Sequence, residues 1–73
     1  MDEKQLKELL LRENAEFRKA HDEHQGCEKA LESIRAKPHL TEAEADEERE
    51  LKKRKLALKD RMYHIMLERV RQN

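Results

Sequence analysis

Lys37-Pro38-His39-Leu40-Thr41-Glu42-Ala43-Glu44 is the stretch on which the architecture turns. Pro38 has no amide proton and pushes Lys37 out of helical geometry, so a helix does not run through this point. Thr41 and Glu44 have the spacing of a capping box, in which the Thr hydroxyl accepts from the Glu amide and the Glu carboxylate accepts from the Thr amide. One helix therefore ends before residue 37 and another begins at 42. A connection this short makes consecutive helices antiparallel neighbours.

Upstream of the break, a seam alternates in steps of three and four: Leu6, Leu10, Glu13, Phe17, Ala20, His24, Cys27, Leu31 and Ile34. Such a heptad pattern marks one face of a long helix. Downstream, Leu51, Lys55, Leu58, Met62 and Ile65 continue in the same rhythm. Folding at Pro38 sets Cys27 against Leu51, Ala20 against Leu58 and Phe17 against Met62, with Glu13 near Ile65 and Arg69. His24 then falls opposite Lys55. The expected architecture is all-α: a single domain over residues 1–73, built as an antiparallel two-helix coiled-coil hairpin. Its helices span about 3–36 and 42–71, joined by a turn at 37–41, and the unit is suited to dimerise into a four-helix bundle.

Composition agrees with this reading and excludes others. The 73 residues hold 17 Lys+Arg and 17 Asp+Glu, with 47% charged and 36% hydrophobic residues. Chains this short bury about 60% of their unfolded surface, and a single Cys excludes an internal disulfide as a staple. Two aromatic residues, Phe17 and Tyr63, cannot build an aromatic pocket or a base-stacking platform. One Gly and one Pro exclude a turn-rich β fold. Regularly interleaved leucines and the near absence of Pro, Gly and Ser distinguish the chain from a disordered polyampholyte. Leu9-Leu10-Leu11, flanked by Glu8 and Arg12, is far too short for a signal peptide or a membrane span. With one unpaired Cys, the expected location is a reducing cytoplasm. The zero net charge hides a polarity: residues 42 to 50 hold six acids and one Arg, while residues 51 to 73 hold eight bases and two acids. That order complements the helix macrodipole.

Glu13-Asn14, Phe17, His24 and the run Leu51-Lys52-Lys53-Arg54-Lys55-Leu56-Ala57-Leu58-Lys59-Asp60 resemble the YdcH-like family of short bacterial proteins, a domain of unknown function. The resemblance extends from about residue 5 to 68 and is most specific in the second block. It implies an antiparallel helical hairpin and no enzymatic mechanism. The chain departs from the family pattern in three places. Ala15 stands where a Pro often follows the Asn, which favours a first helix running through without a kink. Ala20 and Cys27 occupy positions usually filled by Leu, and Arg61 stands where an acid is usual.

Three groups of residues are candidate sites. Lys52, Lys53, Arg54, Lys55 and Lys59 form a basic run with the character of a phosphate-tracking or anionic-surface site; a solvated face with Glu48–Lys52 and Glu50–Arg54 pairs is the simpler account of it. His24 and Lys55 form a polar layer in the seam, of the kind that specifies register and oligomer state, unless Lys55 simply reaches to water. Met62, Tyr63, Ile65, Met66, Leu67 and Val70 circle the end of the second helix. One partner helix cannot cover so many directions, which points to self-association or to docking of another protein. His21, His24 and Cys27 recur every three residues and drift around the helix, so they do not converge on one metal ion. No metal and no cofactor is expected. With no phosphate-binding loop and no pocket-forming bulk, catalysis is not expected either. The chain reads as a protein-interaction or adaptor module with a protein partner, self-association as a dimer included. Nucleic-acid or anionic-surface binding is the alternative.

Overall fold

A computed structural model describes residues 2–72 as three α-helices: α1 (Glu3–Glu13), α2 (Ala15–Arg35) and α3 (Glu42–Arg71). No strand occurs among the described residues. α3 has the expected bounds, and its capping box is formed: the Glu44 amide donates to Thr41 Oγ1 at 3.1 Å, and the Thr41 amide donates to Glu44 Oε1 at 3.0 Å. The Lys37 ammonium reaches the same Glu44 carboxylate. These donors lower the Glu44 carboxyl pKa to about 2, and the Glu44 carboxylate raises that of the Lys37 ammonium, tying the connecting segment to the start of α3.

The architecture of two helices needs correction: the segment expected as one helix over 3–36 is broken at Asn14. Asn14 adopts an extended conformation (φ −114°, ψ 108°) and closes α1 while opening α2. Its side-chain oxygen accepts from the Phe17 amide at 2.9 Å, satisfying a donor the break would otherwise orphan. On the other side of the break, Arg18 Nη1 donates to the Leu11 and Arg12 carbonyls at 3.0 and 3.4 Å. Both sets of loose ends are thus partly closed by side chains. Asp2 and Gln5 form a second capping box at the start of α1.

The seam nevertheless falls where its spacing puts it. All seven of its apolar positions in α1 and α2 are buried: Leu6, Leu10, Phe17, Ala20, Cys27, Leu31 and Ile34. The break leaves the phase of the stripe intact because Leu10 and Phe17 remain on the same side of the chain. From α3, Leu58 alone is buried to that degree. Ion pairs between Glu16 and Arg61, Glu23 and Arg54, Glu28 and Lys55, and Arg35 and Glu48 descend α2 as they ascend α3, so the two helices run antiparallel. Exposed pairs of this kind add little stability each; arrayed along the seam they favour one register over its neighbours. The result is a narrow body of 49 × 19 × 15 Å, whose length is that of one 30-residue helix at about 1.5 Å per residue.

The core has two clusters. Leu6, Leu10 and Phe17 pack with Leu11, Met62, Ile65 and Met66 at one end, and Ala20, Cys27 and Leu58 pack with Leu51 and Met62 in the middle. Met62 belongs to both. The small side chains of Ala20 and Cys27 make the middle thin.

Candidate interaction face

The apolar end of α3 is divided by the packing of α1. Met62, Ile65 and Met66 turn inward against Leu6, Leu10 and Phe17, and Leu67 is half-buried. Tyr63 and Val70 remain 56% and 58% exposed, and Leu56, one heptad before Tyr63, is 59% exposed. The six residues grouped from sequence therefore do not form one face. The exposed stripe is Leu56, Tyr63 and Val70, spaced by seven, which keeps the three side chains within an arc of about 40° at 100° per residue. Leu56 lies outside the six residues grouped from sequence. Its heptad relation to Tyr63 and Val70 was the signal that should have joined it to the face.

Beside this stripe runs a trough. A groove of about 330 Å³ lies between α3 and the first two helices, floored by Leu11, Phe17, Met62 and Met66 and edged by His21, His24 and Lys59. Towards the end of α3 the trough continues past Leu6, Met66 and Val70 to Asp2 and Glu3. Towards the middle it opens at Leu56 and Lys59. Tyr63 lines all three sections.

The basic run is dispersed around α3 and much of its charge is engaged. Lys53 lies 3.8 Å from Glu50, Arg54 lies 4.0 Å from Glu23, and Lys55 lies 3.1 Å from Glu28. The expected Glu48–Lys52 and Glu50–Arg54 pairs are replaced by Glu48–Arg35 and Glu23–Arg54. Among the described residues, Lys52 and Lys59 have no carboxylate within ion-pair distance. Both point along the same side of α3 as Tyr63, within about 40° of it. Arg61, which stands where an acid is usual, is bonded to Glu16 at 2.6 Å. Arg69 pairs with Glu13 at 3.1 Å, where the folded register put them together.

The polar layer is present but is a triad. Lys55 is satisfied by Glu28, whose carboxyl is lowered by that hydrogen bond. His24 stands 4.0 Å from Glu28 with its side chain 16% exposed, and its Nε2 is buried without a hydrogen-bond partner. Burial lowers the His24 pKa, and the Lys55 and Lys59 ammoniums add to the effect against the pull of Glu28. Cys27 is buried between Ala20 and Leu58, a packing role. The described residues contain no cluster of three or more His, Cys, Asp or Glu arranged to hold a metal ion. No helix among them is long and apolar enough to cross a membrane.

The fold and this face define a class: a small all-α protein of three helices with an exposed apolar stripe on its longest one. Residues 17–66 match the family described as "Protein of unknown function (DUF465)", and the chain belongs to that family. The matched span is α2 from its first turn through most of α3, in keeping with the YdcH-like resemblance of the sequence. No match was found among curated proteins or among solved structures.

Proposed function

We propose that the chain is a non-catalytic protein-interaction module of the bacterial cytoplasm, acting through coiled-coil-type packing on the exposed face of α3. The observation that carries this reading is the Leu56, Tyr63 and Val70 stripe, more than half exposed over two heptads beside a trough with apolar floor. A contiguous exposed apolar surface on so small a body favours a partner, and the methionines along the trough supply adaptable packing. Nucleic-acid binding through Lys52, Lys53, Arg54, Lys55 and Lys59 has less support, because Lys53, Arg54 and Lys55 already face carboxylates. The test is crosslinking in native cells with the full chain and its Leu56→Glu and Tyr63→Glu variants. Wild type should capture a protein partner, another copy or a different chain, and the variants should lose it with unchanged helicity and melting. Equal capture by all three would count against the module.

A further inference from the structure

We infer that α1 is a hinged lid: it lifts as one unit about Asn14 from an apolar seat on α2 and α3, while those two helices stay packed. The inference does not depend on the exposed stripe of α3. It begins with the joint. Among the described residues no backbone hydrogen bond crosses Asn14: its amide closes α1 by donating to the Leu10 carbonyl, and its carbonyl opens α2 by accepting from the Arg18 amide. One extended residue between two helices is a place where a change of φ and ψ swings one against the other. The Asp2–Gln5 capping box and the Glu3–Lys7 pair lie within α1 and move with it. Among the described residues, its polar ties to the other helices are the Glu13–Arg69 pair and the Arg18 bonds to the Leu11 and Arg12 carbonyls. Glu13 and Arg18 are exposed, and ties at exposed side chains hold weakly.

What holds α1 is Leu6 and Leu10, packed with Phe17, Met62, Ile65 and Met66. Its 11 residues are too few for a helix that is stable alone in water, so this seat orders it. The α2 and α3 pair has contacts of its own. Ala20, Cys27 and Leu58 cluster between the two helices, Leu31 and Ile34 are buried beyond them, and the four ion pairs of the register join α2 to α3 without α1. The family match, residues 17–66, begins past the joint and contains the whole seat. Parts of one chain held so unequally open at different free energies. With α1 closed the seat is filled, and with α1 lifted it is free, so α1 is an intramolecular competitor for any other apolar helix face offered there.

Residue-resolved hydrogen exchange on the full chain is the test. The helix amides from Lys7 to Asn14 should share one protection factor, at least about tenfold below the slowest amides of α2 and α3, which exchange through global unfolding. Ile34→Val adds a second readout. Ile34 is buried at the turn end of α2, away from α1, so the substitution weakens the closed and the lifted states equally against the unfolded chain. The slowest amides of α2 and α3 should lose about 2–10-fold in protection, while those from Lys7 to Asn14 keep theirs. Protection in α1 equal to that of α2 and α3, or falling by the same factor in Ile34→Val, overturns the lid. Protection that climbs steadily from Lys7 through Asn14 into α2 overturns it too, because that gradient belongs to a helix fraying from its start.

Discussion

Replacing Ala15 by Pro separates a broken helix from a continuous one by the sign of its effect. In a helix running from 3 to 36, Pro at 15 would remove a ladder hydrogen bond and clash with the preceding turn, at a cost of about 3 kcal/mol or more. In the observed structure Ala15 is the first residue of α2, the position where Pro is favoured. Asn14 already has the extended backbone that a residue before Pro prefers (φ −114°, ψ 108°). The Ala15 amide donates to no backbone carbonyl across the break, and the Leu11 carbonyl it would have used in a continuous helix accepts from Arg18 instead. The substitution therefore gives up no bond and restricts the unfolded chain, which is worth about 0.4–1 kcal/mol of stabilisation. For a domain of this size that is an increase of roughly 2–8 °C in Tm, against a fall of more than roughly 12 °C for the continuous helix. Far-UV circular dichroism melts of both proteins, at one chain concentration, read the difference directly. A lower Tm for Ala15→Pro refutes the break at Asn14 and the capping roles given to Asn14 and Arg18.

Three further outcomes follow from the same structure. Phe17→Ala removes the largest fully buried side chain; its cost of about 3–5 kcal/mol equals what so small a core supplies, so the variant should be largely unfolded by circular dichroism at 25 °C, and a cooperative melt near the wild-type Tm would contradict the packing described. Glu44 has its carboxyl lowered to about 2 by the Lys37 and Thr41 hydrogen bonds. Its contribution is present above the unfolded carboxyl range and lost as pH falls towards 2, so Glu44→Gln should flatten this part of the acid denaturation curve, and an unchanged curve would remove the role. His24 is shifted the other way for a base: its folded pKa lies below the ordinary value of 6.5, chiefly through burial. The unfolded chain then binds protons first as pH falls through 6.5, and stability declines with it. Urea midpoints measured between pH 7.5 and 5 should fall less for His24→Gln than for wild type, the remaining histidines being common to both; parallel curves would show His24 to be solvated.

The sequence made the turn and α3 legible because their determinants are local. Pro38 stops one helix, and Thr41 with Glu44 starts the next. The buried positions of α1 and α2 were legible because a heptad stripe names the face that packs, whatever happens to the backbone between its members. That same property concealed the break. Leu10 and Phe17 keep their phase across Asn14, so periodicity carries no trace of the interruption, and Ala15 in place of Pro removes the plainest stop signal. What remained was Asn14 three residues before a buried Phe17, followed by Glu16 in a first turn, which is an N-cap pattern. Arg18 bonding to carbonyls six and seven residues back has no sequence signature at all. The face on α3 was half legible for the same reason. Six apolar residues were visible, but which of them point outward depends on α1, whose course depends on Asn14.

The thin middle of the molecule and the exposed stripe have a common physical origin. α3 distributes its apolar residues in three directions: Leu51 and Leu58 towards α2, Ile65 and Met66 towards the cluster built with α1, and Leu56, Tyr63 and Val70 outward. Met62 serves two of these at once. A helix so divided buries little against any one neighbour, and Ala20 and Cys27 across from it do not compensate with bulk. Burying the outward stripe would add about 25 cal/mol for each Å² of apolar surface removed from water, a useful increment for a domain whose core supplies only a few kcal/mol. A partner that bound the folded chain and not the unfolded one would make that increment grow with its concentration. If the partner is another copy, the apparent stability of the protein is itself a function of how much of it is present.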